Sequence, residues 1–370
     1  MNSYQGPLKG LRIVELAGIG PGPYCGMLLS DLGAEVVQVD RPGGAAAAYG
    51  LDPSRDILNR GRRSIVLDLR NPESRDELLA LVDHADGFIE ANRPGVAERL
   101  GIGPEACLAR NPRLVYGRVT GWGQTGPLAD RVGHDINYIA LAGALALCGR
   151  PGEPPVIPQN LIGDMAGGGL LLAFGMVSAL LEATRSGKGQ IVDAAMIDGV
   201  ASLLAAMLTM RAQGRFDGEP GTHFGDGGAH FYQTYRAADG KYLSVGAIEP
   251  AFYAAFRDGA GLTDSEFDAQ FDESRWPDLK QKVARRIAEK TRDEWMERFS
   301  PDACVAPVLT LAEVEHHPHN AARANFLRDG DVLQPAPVPR FSRTPGAIAS
   351  RPNEHRTDAA TVLRDWAARG

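Results

Sequence analysis

The chain has 370 residues, a formal net charge of −7, 44% hydrophobic residues and 23% charged residues. That composition sustains a sizeable core, and the length suits one large α/β domain plus a smaller one. A negative chain without a basic run argues against nucleic-acid binding, which requires phosphates to be neutralised. Four cysteines, Cys25, Cys107, Cys148 and Cys304, are scattered without a CxxC, so neither zinc nor a disulfide framework is indicated. His316, His317 and His319 cluster in EHHPHN, but Pro318 breaks their helical spacing, and no metal is expected there. The first residues lack a signal-peptide apolar segment, and no apolar run reads as long enough to span a bilayer. The expectation is a soluble, cytoplasmic protein.

Taken in chain order, LRIVEL, EVVQVD, SIVLDL, DGFIEA and RLVYGRV read as strands bounded by turn residues. YCGMLLSDLG and ESRDELLALVDHA between them read as helices. Such alternation predicts a Rossmann-like, mainly parallel sheet with helices on both faces. Two apolar helices follow, one from near His134 and one from Asp164 through GGGLLLAFGMVSALLEA. QIVDAAMIDGVASLLAAMLTM adds a strand and a helix and closes a large domain over 1–210. The glycine-rich stretch 211–229 reads as a linker. A smaller α+β domain over 230–327 holds a hairpin around Ala238-Asp239-Gly240 and a strand at CVAPVL. Residues 328–370 then return to the large domain through PAPVPRFSR and a short terminal helix.

LAGIGPGPYCG follows a strand and opens a helix, with Asp40 about where a ribose-binding acid would stand. Gly18, Gly20 and Gly22 resemble a dinucleotide fingerprint, but Pro21 and Pro23 remove two backbone donors that would face a pyrophosphate. A tight strand-to-helix turn, with Pro23 as the first helical residue, is favoured over an NAD-dependent oxidoreductase. Arg41, at the end of a parallel strand, suits a ligand phosphate instead.

Three residues invite acid–base chemistry. His134 stands at a helix start in VGHDINY. Gly133 allows a close backbone approach, Asp135 suits a cap, and an imidazole pKa of about 6.5 permits proton transfer at neutral pH. Asp164 reads either as an N-cap or as a partly desolvated acid or base, with burial raising its pKa and the helix dipole lowering it. Glu249, ahead of Pro250 in VGAIEPAFY, reads either as a cap or as a carboxylate that orients His134. The starts of the helices at His134 and Asp164 would also both offer free backbone N–H groups to a developing enolate oxygen. Met165, Met176, Met196, Met207 and Met210 read as core, or as a pliable wall for an acyl chain.

Together these residues resemble the class III CoA-transferase superfamily, also called the formyl-CoA transferase and racemase family, over nearly the whole chain. The carrying segments are LKGLRIVELAGIGPGPYCGMLLSDLGAEVVQVDRP, NRGRRSIVLDLR and NRPGVAERLGIG. GWGQTGP, GHDINYIAL, GDMAGGG, DGGAHFYQTY and VGAIEPAFY mark the racemase branch. The resemblance implies Arg41 on a CoA phosphate and Leu67, Asp68, Leu69 and Arg70 around the adenosine end. It implies Ala91, Asn92, Arg93 and Arg99 near the phosphates, and Gly133, His134, Asp135, Ile136, Asn137 and Tyr138 around the thioester. His134 and Asp164 would exchange the α-proton of a 2-methylacyl-CoA, interconverting its 2R and 2S forms, with Glu249 in support. The substrate would be an acyl-CoA thioester, with CoA part of the substrate, no separate cofactor and no metal. The resemblance also implies an interlocked homodimer. The racemases carry Pro where this chain has His230, a departure placed at the acyl mouth. Alternatives are a CoA-transferase acting through an aspartyl-CoA thioester at Asp164, whose branch lacks the histidine, and a non-catalytic CoA-binding protein.

Overall fold

β-Branched runs between glycine and proline turns favour strands, and six form, all but the last mostly buried. These are β1 (Arg12–Leu16), β2 (Glu35–Asp40), β3 (Arg62–Val66), β4 (Gly87–Glu90), β5 (Val115–Thr120) and β6 (Gln190–Ala195). The computed structural model describes residues 4–44 and 52–368. The chain divides into two compact units, Met1–Ala144 with Pro158–Ala205 and Arg328–Gly370, and Leu145–Ile157 with Ala206–Leu327. Residues 145–157, expected in the large domain, and 211–229, expected as a linker, both belong to the second unit.

The main sheet of the first unit is parallel throughout, and an edge strand at His355–Arg356 completes its seven strands. The order is edge strand, β3, β2, β1, β4, β5, β6. Alternation along each strand supplies two cores. Val14, Val37, Phe88 and Tyr116 pack with Leu78, Leu81 and Trp366 on one side. Ile13, Val36, Ile89 and Val115 pack with Leu172 and Met176 on the other.

The crossover helices are α1 (Pro21–Asp31), α2 (Pro72–Val82), α3 (Val96–Arg99), α4 (Pro104–Arg110), α5 (Asp135–Leu141), α6 (Leu171–Ser186) and α7 (Met196–Leu203). α1 starts at Pro21, not Pro23, because Gly20 makes the turn at φ +74°. β3 starts two residues ahead of SIVLDL. Its arginine is buried, which a hydrophobic pattern does not signal: Arg62 Nε meets Glu15 Oε2 at 3.1 Å. The same guanidinium donates to the carbonyls of Pro23, Leu58 and Arg60.

The helix expected from Asp164 begins earlier and differently. A π-helical segment, Leu161–Leu170, runs into α6. The combined helix, Leu161–Ser186, has 26 residues, with an 18-residue stretch at a mean hydropathy of 1.6, long and apolar enough to cross a bilayer. That corrects the expectation that no run reaches this length. Leu172 and Met176 pack it into the sheet core, while Leu170, Phe174 and Leu181 are exposed along one stripe.

The carboxyl-terminal segment is tied in by a buried arginine. Arg60 pairs bidentately with Asp31 and donates to Gln334 Oε1 at 3.0 Å and to the Pro335 carbonyl at 2.7 Å.

In the second unit β7 (Tyr232–Arg236), β8 (Tyr242–Gly246) and β9 (Val305–Val308) form an antiparallel sheet. α8 (Ala205–Ala212) leads in, and α9 (Pro250–Ala260), α10 (Trp276–Ile287) and α11 (Arg292–Arg298) follow. Phe231, Leu243, Phe256, Trp276 and Trp295 form its core. His230 sits within that core at 0% exposure, ringed by Phe231, Tyr253 and Phe267. It is a packing residue of this unit.

Candidate active site

In an open parallel sheet, ligands settle at the carboxyl ends of the strands where the order reverses, because the loops there diverge. The order β2-β1-β4 places that reversal between β1 and β4. A cavity of about 1080 Å³ opens there, lined by loops that follow β1 to β5 and by Asp164 and Met196.

Most of the expected residues meet in it. Arg41, Leu67, Asp68, Leu69, Arg70, Ala91, Asn92, Arg93, Gly133, His134, Tyr138 and Asp164 all line the cavity. Arg99, Asp135, Ile136 and Asn137 are not among the lining residues. Arg99 ends α3 on the surface with Nη1 over Gly95, and Ile136 and Asn137 are exposed on α5. Glu249 belongs to the second unit, where it is exposed at the N-cap position of α9 without a side-chain cap bond. Its reading as a functioning cap therefore falls.

The basic groups are not equivalent. Arg70 is engaged by its neighbour Asp68, through Nε to Oδ1 at 2.9 Å and Nη2 to Oδ2 at 2.8 Å. Arg41 and Arg93 form no ion pair among the described residues, so their forks remain available for an anion. Arg131, also cavity-lining and exposed, joins them. Sequence reasoning missed it, because a lone arginine in a loop three residues before His134 carries no pattern.

The loop after β4 is held from below. Buried Glu90 accepts the Asn92 N–H at 2.7 Å and Arg118 Nε at 2.7 Å, and Arg118 Nη1 reaches Glu98 on α3 at 2.8 Å. Burial raises the Glu90 pKa, opposed by the Asn92 N–H and by Arg118. This network fixes Ala91, Asn92 and Arg93 against the cavity.

His134 is the N-cap residue of α5, and its N–H donates to Asn137 Oδ1 at 3.0 Å. The preceding loop is shaped by Tyr138, whose hydroxyl donates to the Gly133 carbonyl and whose ring packs edge-on against Trp122. A Cβ on Gly121 would lie 2.0 Å from that ring, and one on Gly133 2.8 Å from it. Glycine at both positions lets the loop close down and turns the His134 side chain, itself exposed, toward the cavity. Burial pushes the Tyr138 hydroxyl up to about 12, with Asp164 and Asp135 adding to the rise.

Asp164 is not the N-cap the sequence suggests. It lies in the first turn of the π-helix, a geometry that recurs at functional sites. Its Oδ2 lies 3.4 Å from Asn160 Nδ2, and a Cβ on Gly20 would come within 3.1 Å of the same oxygen. Burial raises its pKa most, and the Asp135 charge adds to that. The Asn160 bond and the charge of His134 oppose it. Burial and the Asp135 charge thus outweigh these two attractions. The backbone N–H of Asp164 is taken by Asp135 Oδ2 at 2.7 Å, so it is not free for a substrate oxygen. Asp135 therefore serves the second helix, not as a cap of its own.

Residues 8–356 match the model of CoA-transferase family III. Over 365 residues the chain is 44% identical to the α-methylacyl-CoA racemase of Mus musculus, covering 97% of this chain and 93% of that protein. It is 46% identical over 340 residues to the Homo sapiens protein of the same name, covering 91% and 87%. A succinyl-CoA–D-citramalate CoA-transferase of Chloroflexus aurantiacus is 31% identical over 370 residues, covering 92% and 89%. Among solved structures, a CAIB/BAIF family protein from Brucella suis superposes with a TM-score of 0.84 at 28% identity, over 98% of this chain and all of that one. With fold, cavity and sequence match in agreement, the chain belongs to CoA-transferase family III.

Proposed function

We propose that the chain is a racemase that interconverts 2R and 2S 2-methylacyl-CoA thioesters by 1,1-proton transfer. The observation that carries this reading is that His134 and Asp164, from two different helix starts, open onto one cavity that arginines also line. Two relatives named α-methylacyl-CoA racemase, at 44% and 46% identity, support it.

CoA is part of the substrate here. Neighbouring strands lie about 4.8 Å apart, so the edge from β3 to β5 spans roughly 19 Å, room for an extended nucleotide and its pantetheine arm. The adenosine end lies over Leu67–Arg70, the phosphates meet Arg41 and Arg93, and the thioester reaches His134. One of His134 and Asp164 removes the α-proton, a planar enolate forms, and the other returns a proton to the opposite face. The raised pKa of Asp164 suits a carboxyl that must accept and return a proton near neutrality. The enolate oxygen is met by the Asp135 and Ile136 N–H groups that open α5, since the Asn137 and Tyr138 N–H groups bond the His134 carbonyl and the Asp164 N–H is engaged by Asp135.

Glu249, exposed and without a cap bond, orients the His134 imidazole from a partner copy in an interlocked homodimer. The exposed stripe Leu170, Phe174 and Leu181 is apolar surface of the kind such an assembly covers.

The second reading, CoA transfer through an aspartyl thioester, is favoured by the same placement of Asp164 and by the transferase relative. One experiment separates them: 2-methylacyl-CoA in deuterated buffer with a labelled free carboxylic acid. Racemisation with α-deuterium uptake and no labelled thioester is expected. Labelled thioester without α-exchange would make the chain a transferase.

A further inference from the structure

We propose that Asp135 is a positioning residue that joins the two proton-transfer groups, its backbone continuing from His134 and its carboxylate holding the backbone of Asp164. The inference rests on the proton-transfer reading above, and it concerns a residue outside the cavity lining.

First-turn N–H groups of a helix lack intrahelical partners and are usually met by that helix's own N-cap side chain. At Leu161–Leu170 the N-cap residue, Asn160, makes no such bond. The acceptor comes instead from α5, 29 positions earlier, as Asp135 Oδ2 at 2.7 Å from Asp164 N. Asp135 is 7% exposed, and its other oxygen, Oδ1, is buried without a protein partner. Gly163 completes the fit. A Cβ there would stand 2.5 Å from Asp135 Oδ2, so the glycine lets the carboxylate approach. The pairs His134-Asp135 and Gly163-Asp164 are therefore two halves of one contact.

Two consequences follow. The separation between the two reacting groups is set by one buried bond, where a misplacement of about 1 Å can cost a hundredfold in rate. The charge of Asp135 also lies against Asp164 and disfavours its ionisation. The other groups facing Asp164 are His134 and Tyr138 from α5 and Asn160 from its own helix. The turn at Gly20 contributes no charge.

The test uses full-length Asp135→Asn and Asp135→Ala with two readouts. The first is a carboxyl-carbon NMR titration, with the Asp164 signal assigned by its loss in Asp164→Asn. The second is α-deuterium exchange of each 2-methylacyl-CoA epimer against pH. Asn keeps an acceptor for the Asp164 N–H but removes the charge, so the Asp164 midpoint should fall by about one unit. The acid limb of the exchange profile should move with it. Asp135→Ala should lower kcat roughly 10- to 100-fold at little change in KM, and Asn should recover part of that loss. If an Asp135 variant does not fold, Gly163→Ala displaces the same carboxylate and should reproduce the kcat loss. An unmoved Asp164 midpoint in Asp135→Asn, or parental kcat in Asp135→Ala, overturns the proposal. Absence of α-exchange in the parent protein would sink the proton-transfer reading instead, and the NMR titration would still decide the role of Asp135.

Discussion

Acid should weaken the second unit through a single histidine, and His230→Gln should remove that sensitivity. Tyr253 Oη donates to the Phe267 carbonyl at 2.9 Å, so it accepts from His230 Nε2–H at 2.7 Å. Nδ1 then carries the lone pair, buried without a partner. Protonation would place a cation there among aromatic rings, with Arg257 and Lys280 adding repulsion. Burial first, then these two charges, lower the pKa to about 4. An unfolded histidine titrates near 6.5, so as pH falls the unfolded chain takes up the proton first. The stability contributed by neutral His230 is complete above about pH 6.5 and is lost on descending to about pH 4. The whole loss is about 3 kcal/mol, of which roughly 2 kcal/mol is gone at about pH 5. Gln offers an Nε2 donor to the same hydroxyl without titrating. Urea unfolding followed by the fluorescence of Trp276 and Trp295, in this core, reads the difference. Between about pH 7.5 and about pH 5 the parent should lose roughly 2 kcal/mol more than His230→Gln. Equal losses in the two proteins would show that Nδ1 is protonated or solvated in the fold, and the reasoning would fail.

Other substitutions test the cavity. Arg41→Ala should raise KM for acyl-CoA about tenfold while kcat stays within about twofold, since a phosphate far from the reacting carbon contributes uniform binding; a pure kcat loss would give Arg41 another role. His134→Ala and Asp164→Ala should each lower racemisation by two to four powers of ten, yet each should retain slow deuterium uptake for a different epimer. Near-parental racemisation in His134→Ala would reduce the histidine to a helix-start residue. Arg118→Met should destabilise the protein by about 3–5 kcal/mol, because the Glu90 carboxylate is left buried without its charge partner. Adding Glu90→Gln should recover much of that in thermal unfolding, whereas a double variant no more stable than the single one would argue against this account.

The sheet was legible because β-branched runs alternating with helical spacing have few other homes. Arg41 was legible for a related reason, since a strand end followed by Arg-Pro projects a side chain at the ligand edge. What stayed hidden depends on contacts across the chain. The π-helix around Asp164 is written in packing, with three glycines at 167–169 that admit α1 and α7 closely. The bond from Asp135 to Asp164 spans 29 positions and has no local signature. Arg99, Ile136 and Asn137 match family motifs by position, yet their helices turn them away from the cavity lining. His230 stood out as a departure near a binding segment, but its partners, Tyr253 and Phe267, lie far along the chain.

The edge strand His355–Arg356 has a consequence for synthesis on the ribosome. It pairs with β3 through His355↔Arg63 and Arg356↔Ser64, and the carbonyl of Pro335 and the amide of Gln334 fill one side of the Arg60 fork. Every strand from β1 to β6 emerges before residue 200, but these partners follow only from residue 334 onward. Until they emerge the nascent sheet therefore presents β3 as an uncovered edge, and Arg60 has only Asp31. Uncovered strand edges are templates for association with other chains. Residues 328–356 act as a closing clasp, and the folded first unit is a state the nascent chain reaches only after they have emerged.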